Sequence, residues 1–326
     1  MEMKMRHLIA VALLLTAPLA LAATTNGAMS LIPRDAVSVG VVHVSDMRTS
    51  PLSSMLFQQT DKVSANGDAE RFLTDAGLKP SKDVDLLVVS VSPKTALGSE
   101  SKVLVAVEGR FSVDRLTSAL TARGAKEKKT ANGSYFVLPQ TPKDDTVGAV
   151  SFPDSHLALI GDEASVSQAL ADRASGGTAF ATAGALGHEL ARIDTNATAW
   201  ALVDVQRASR LTNAPHIDNH TQPAQQISAA LNHMSTVALW ATDNGDSLKL
   251  TAFGLSNDTE TLQLVEDTLR GGLAAMRLAV QDKSPEMVTV LRHFDVKRSN
   301  DSVTISGTVP ADQLKKFSTS ASSHSR

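Results

Sequence analysis

An α+β fold, made of two similar antiparallel-sheet units with helices packed on one face of each, is what this amino-acid sequence predicts. Three observations carry the expectation. Short valine-rich segments bounded by turn residues recur along the chain, segments with apolar residues at spacings of three and four fall between them, and the order of the two runs twice. With 326 residues the chain is long enough for two cores of ordinary size.

In the first half, Ala36 to Val44 reads AVSVGVVHV, a β-branched run with partial alternation that predicts a strand. A turn at Ser50 and Pro51 leads to a predicted helix over Asp68 to Ala76, with Phe72 and Leu73 on one side and Gly77 as its C-terminal cap. Leu86 to Val91 and Val103 to Val107 are apolar runs of strand length. Ser112 is placed to cap a helix that carries Val113, Leu116 and Leu120, with Asp114 in the first turn, where the helix dipole favours an acid. Strands are expected at Tyr135 to Leu138, Val147 to Phe152 and Leu157 to Ile160. Asp162 then caps a helix bearing Val166, Ala169 and Leu170.

The second half follows the same order. Thr198 to Val205 predicts its first strand, ending near Asp204 as the earlier one ends near Asp46. Gln225 to Leu231 predicts a short helix, Thr236 to Ala241 and Leu248 to Phe253 the next two strands, and Asp243-Asn244-Gly245-Asp246 a tight hairpin turn between them. Leu262, Val265, Leu269, Met276 and Val280 mark one face of a long helix. Strands near Phe294 to Lys297 and Val303 to Val309 come last, before a short helix opened by Pro310. Each half thus has a ferredoxin-like element order, and a duplication is the economical account of it. The boundaries that follow are 31–177 for the first unit and 194–317 for the second. Residues 178–193 are expected as a packed connecting helix through Leu186, Leu190 and Ile193, behind a Gly176-Gly177 hinge, and 318–326 as a disordered serine-rich tail.

The chain opens with a secretory leader. Lys4 and Arg6 precede an apolar run from Leu8 to Leu15 that extends to Leu21, and Ala20 and Ala22 flank Leu21 in the pattern a signal peptidase cuts, here after Ala22. The run is too short for a membrane anchor. Residues 1–22 are therefore read as a cleaved signal peptide, 23–30 as a linker, and the mature chain as periplasmic or secreted with no transmembrane anchor. The sequence contains no cysteine, which excludes disulfides, thiolate metal sites and cysteine nucleophiles. A net charge of −3 and an aromatic content of 4% speak against nucleic acid as a partner and against a carbohydrate platform of exposed rings.

Among possible reactive groups, His216, Asp218 and His220 in NAPHIDNHTQP are the candidate metal ligands, because two imidazoles and a carboxylate within five residues suit zinc. Pro215 and Pro223 mark that stretch as loop, and a further ligand would have to come from His188 or His233. His188-Glu189 begins a zinc-protease motif, but Arg192 stands where its second histidine belongs. Asp83 with Asp85 and Asp144 with Asp145 read as solvated charge, and Arg110 with Arg115 as the exposed end of a strand-to-helix step. No catalytic residue and no cofactor is expected.

The stretches LIPRDAVSVGVVHVSDMRTSPL, GLKPSKDVDLLVV, VEGRFSVDRL and SVTISGTVPADQL together resemble uncharacterised exported bacterial proteins with a duplicated α+β domain. The resemblance implies the fold and the compartment, and no activity. The sequence therefore reads as a non-catalytic exported module for protein interaction or a role in the cell envelope, with a protein partner there. The alternatives are a small ligand bound in the crevice between the two units, and a metal-dependent enzyme using the His216, Asp218 and His220 loop.

Overall fold

The computed structural model describes residues 27–50, 68–95, 98–140, 146–211, 233–282 and 284–314. The first half contains β1 (Ser38–His43), α1 (Val44–Met47), α2 (Asp68–Ala76), α3 (Pro80–Asp83), β2 (Val84–Pro93), β3 (Ser101–Gly109) and α4 (Val113–Ala122). It continues with β4 (Lys126–Thr130), β5 (Gly133–Val137), β6 (Gly148–Asp154), β7 (Leu157–Asp162) and α5 (Glu163–Ala174). After α6 (Phe180–Ala183) and a 3₁₀ segment at Gly187–Arg192, the second half contains β8 (Ala199–Asp204), α7 (Val205–Ala208), β9 (Thr236–Asp243) and β10 (Ser247–Leu255). It ends with α8 (Thr259–Val280), α9 (Pro285–Arg292), β11 (Asp295–Arg298) and β12 (Ser302–Pro310). The α+β class and its antiparallel sheet are as the sequence predicts.

All twelve strands join one sheet in the order β11-β12-β10-β9-β8-β1-β2-β3-β7-β6-β5-β4. The halves meet where β1 lies antiparallel to β8, with Val39 opposite Leu202 and Val41 opposite Trp200. Counted outward from that pair, each half places its first, second and third strands side by side, then its last, then its last but one. The first half adds the β4–β5 hairpin at the outer edge. A ferredoxin-like split βαβ would set a third strand between β1 and β2. Here those two are direct antiparallel neighbours, so the predicted element order is kept along the chain while the strands lie as a meander.

The central strands are apolar on both sides, which is why they read as continuous apolar runs. On one face Val39, Val41, Val88, Leu104, Leu159, Trp200, Leu202, Ala238 and Phe253 form a single buried cluster. That cluster is covered by α5, by a 3₁₀ turn at Ala28–Leu31 and by the connecting segment, through Leu31, Ile32, Phe180 and Leu186. On the other face the register aligns Ile160, Val105, Val89, Gly40, Ala201, Leu239, Ala252 and Ile305 in a row across eight strands. The expected one-sided helices lie on this second face, with α2 and α4 against the first half and α8 and α9 against the second. Helices thus cover both faces of the common sheet, because each face is too apolar to be left in water.

The helix ends show which local signals were sufficient. Asp162 accepts a hydrogen bond from the Ser165 N–H at 2.9 Å, Asp258 accepts from Glu260 and Thr261, and Asp204 accepts from Arg207, each capping the helix it precedes. Ser112 occupies the N-cap of α4, but its hydroxyl makes no capping bond. The connecting segment is packed, as Leu186 and Ile193 predict, but it is two short pieces and not one helix. A side chain at Gly187 would meet the Phe180 carbonyl oxygen at 1.9 Å, an approach that only glycine permits. Gly176 and Gly177 take φ of +92° and +106°. They are held in place, since the Thr178 N–H bonds the Ser30 carbonyl at 3.0 Å. At the β9–β10 turn only Gly245 enters the left-handed region, with φ of +85°; Asn244 does not, so the loop is wider than the expected primed turn.

Two edges remain, and both are guarded. β4 reads KEKKT with every side chain exposed, and β11 is four residues long. Charged and short edges resist pairing with a second sheet. The β4–β5 hairpin is tied to the start of α5 through Glu163, which accepts hydrogen bonds from Lys128 and from the Tyr135 hydroxyl at 2.8 Å. These two donors hold the Glu163 carboxyl below its ordinary range. In the second half Glu266 of α8 pairs with Arg298 of β11 at 2.8 Å and with Arg270 at 2.9 Å.

Because one core crosses the β1–β8 junction, the two halves are expected to unfold together. Thermal melting followed by far-ultraviolet dichroism and by tryptophan fluorescence should give one coincident transition. Trp200→Ala should lower stability by about 3–5 kcal/mol while keeping a single transition. Two separated transitions in the unaltered protein would contradict the shared core.

Candidate functional site

Helices α2 and α4 stand on the second face of the first half without closing down on it. Each ends in the same backbone device. At the end of α2 the Gly77 N–H bonds the Thr74 carbonyl at 3.0 Å and the Leu78 N–H bonds the Leu73 carbonyl at 2.8 Å, a Schellman motif with Gly77 at φ +67°. At the end of α4 the Gly124 N–H bonds Thr121 at 2.9 Å and the Ala125 N–H bonds Leu120 at 3.1 Å, with Gly124 at φ +85°. The reversals turn Leu78 and Ala125 back toward the sheet. Both residues line the space between helices and strands.

That space is a cavity of about 680 Å³. Its floor is Leu87, Val107, Ala158, Ile160, Val150 and Phe152, contributed by β2, β3, β7 and β6. Its roof is Phe72, Leu73, Leu116 and Leu120, and Phe111, Pro80, Leu138 and Pro139 close the ends. The Phe111 and Phe152 rings meet tilted, with centroids 6.4 Å apart. Among the described lining residues only Arg123 is charged. Its guanidinium lies 5.2 Å from the Phe72 ring centre and bonds Asp75 at 2.8 Å, which fastens the end of α4 to α2. With that charge already matched, the described lining presents apolar surface.

Such a volume lies within the range of small-molecule sites, about 300–1,000 Å³. Apolar voids as small as about 150 Å³ stay free of water and take up apolar molecules. The sequence reading did not find this site. Its residues come from segments spread between 44 and 160, and each reads singly as an ordinary core residue. The one legible signal was Gly77 as a helix cap.

The candidate metal ligands His216, Asp218 and His220 lie outside the described residues. His188 and His233 are exposed. Among the described residues no three His, Asp or Glu side chains converge as ligands would. Glu189 pairs with Arg192 at 3.1 Å, and Arg192 reaches on to Asp301 at 2.7 Å, which ties the connecting segment to the second half and lowers the Asp301 carboxyl below its ordinary range. Asp85 pairs with Arg48 at 2.7 Å, and Asp83 accepts the Lys79 N–H at 2.7 Å, both as solvated structural charge. Arg110 donates to the Lys82 carbonyl at 2.5 Å, and the Arg115 guanidinium packs beside Gly77. The pair Asp144 and Asp145 lies outside the described residues. Among those described, no helix is long and apolar enough to cross a membrane.

No family model matches the chain, and no curated protein matches it. Among solved structures it is similar to TP0453, a Treponema protein. With crystal form III of that protein the TM-score is 0.46 at 11% identity, covering 88% of this chain and 95% of the other. With crystal form I it is 0.47 at 9% identity, covering 89% and 96%. Nothing about the task of this chain rests on that likeness.

Proposed function

We propose that this chain is a non-catalytic exported binding protein that holds an apolar ligand in the cavity of its first half. The observation that carries the reading is the cavity itself, about 680 Å³ in volume, with one charged lining side chain among those described, and that one already paired. Burial of apolar surface supplies the affinity, at about 25 cal/mol per Å² removed from water. The site lies inside one half. The halves themselves meet through the paired strands β1 and β8.

The leader read from Lys4, Arg6 and the apolar run to Leu21 supports export, and a role in the cell envelope follows from it. We also infer that the halves descend from one duplicated unit. What supports this is the shared outward order of strands from the β1–β8 pair, with α4 and α8 as the matching crossover helices.

Three measurements test these readings. Intact-mass analysis of the exported protein should give a chain starting at Ala23; a chain still starting at Met1 would refute export by this leader. For the duplication, the rotation that carries β1 onto β8 in a crystal structure should also carry β2 onto β9 and β3 onto β10. A mismatch of those strands would contradict common descent.

For the site, N-phenyl-1-naphthylamine should bind the purified protein with enhanced fluorescence. Ala158→Leu, which fills part of the cavity floor, should weaken that binding by at least about tenfold with no loss of thermal stability. An unaltered protein that fails to bind the probe would overturn the ligand reading, as would a variant that folds and binds it equally well.

A further inference from the structure

Helix α8 carries two apolar seams, and the fold of the chain uses one of them. The inner seam, with Leu262, Val265, Leu269, Leu273 and Met276, packs into the core of the second half. On the outer side Leu264, Thr268, Gly271, Ala275 and Leu278 follow one another at steps of four, three, four and three residues. That alternation keeps a stripe on one side of a helix, facing a partner helix along its length. Leu264 is 57% exposed and Leu278 71%, the two most exposed large apolar side chains among the described residues. A helix that only borders a core carries polar residues on its outer face.

The residues between the two leucines are small or already satisfied. Gly271 lies in the middle of α8, where glycine is less favourable than alanine. Packing within the chain does not require it, because a side chain there would meet nothing within 4 Å. Thr268 donates its hydroxyl to the Leu264 carbonyl at 2.7 Å, so it brings no unmet donor to the seam. The nearby arginines are engaged elsewhere, Arg270 with Glu266 at 2.9 Å and Arg277 with the Leu291 carbonyl at 2.8 Å. Asp267 stands exposed at the edge of the seam.

We infer that the outer seam of α8 pairs with the same seam of a second copy of this chain, the two helices running antiparallel about a twofold axis at Gly271. Leu264 and Leu278 each lie seven residues from Gly271, so each leucine meets the other leucine of the second copy. Glycine meets glycine at the crossing, where the two helices come closest. Charge selects the antiparallel sense. A parallel pair would set Asp267 against its own counterpart, and like charges side by side repel, whereas the antiparallel pair sets it against Ala275. The 22 residues of α8 make a helix about 33 Å long. A seam of that length and about 10 Å wide covers roughly 700 Å² over both copies, against about 1,200 Å² or more in a standard stable interface. The dimer is therefore reversible and forms as concentration rises.

Sedimentation velocity of the full mature protein over a rising concentration series should show monomer passing into dimer and no larger species, since a twofold seam closes on itself. Gly271→Leu should weaken dimerisation by at least roughly tenfold, by wedging the helices apart. Its melting temperature should stay the same or rise, because leucine favours the helix more than glycine does. Leu278→Glu should weaken dimerisation to a similar degree. Because the chain has no cysteine, Leu264→Cys and Leu278→Cys each carry a single thiol. With a short bismaleimide, a mixture of those two variants should crosslink as the mixed pair, and neither variant should crosslink alone. A protein that stays monomeric throughout the series would overturn the inference, including one that instead binds phosphatidylglycerol vesicles through the same leucines. A dimer that survives Gly271→Leu, or crosslinking of Leu264→Cys to itself, would overturn it as well.

Discussion

The antiparallel contact of β1 with β8 is the constraint on which the rest of the molecule depends. Val41 opposite Trp200 and Val39 opposite Leu202 place large apolar side chains from both halves on one side of a common sheet. Once those strands pair, every later strand must extend the sheet outward, and each half has only its outer edge left to protect. The charged β4 and the four-residue β11 do so at the two ends. The pairing also gives the covering layer its position. The Ala28–Leu31 turn lies over β2 and β3, and α5 over β3, β5, β6 and β7, on the face whose buried cluster continues across the junction.

The second face is organised by what those elements leave open. Two separate helical pairs stand on it, α2 with α4 and α8 with α9, and they pack differently. In the second half Leu262, Val265 and Leu273 of α8 meet Met234, Val296 and Val303 in a closed core. In the first half the Schellman turns at Gly77 and Gly124 fold Leu78 and Ala125 back, and the Arg123–Asp75 pair holds the helix ends together over a cavity that the described residues do not fill. A difference in packing between two similarly ordered halves thus leaves room for a ligand in one of them. The stability of the common sheet is what allows one shoulder of the fold to remain under-packed, since interiors otherwise pack to near crystalline density.

Much of this fold was legible in the residues. Valine-rich runs marked the central strands, Asp162 marked a helix start, and Gly77 marked a helix end, because each acts through its own backbone or its nearest neighbours. β4 was missed because KEKKT is an edge strand with no buried side chain and so carries no apolar period. α9, opened by Pro285, was missed beside the stronger signal of α8. The connecting segment was expected as one helix because Leu186, Leu190 and Ile193 fit a helical spacing, while the close approach of Gly187 to Phe180 that breaks it is a tertiary fact. The cavity was hidden for the same reason. Phe72, Leu120, Val107 and Ile160 are indistinguishable from core residues until the helices are placed, and an unfilled volume has no signature along the chain.

Hydrogen–deuterium exchange with and without bound ligand tests the account most directly, because it reads the shared core and the cavity in the same molecule. The amides of β1 and β8 should be the slowest to exchange and should share one protection level, since they open only with the whole molecule. Adding N-phenyl-1-naphthylamine should then raise protection across residues 68–78 and 113–125, the helices and turns that roof the cavity. Exchange of one half while the other stays protected, or ligand-induced protection confined to segments away from those roof helices, would contradict it.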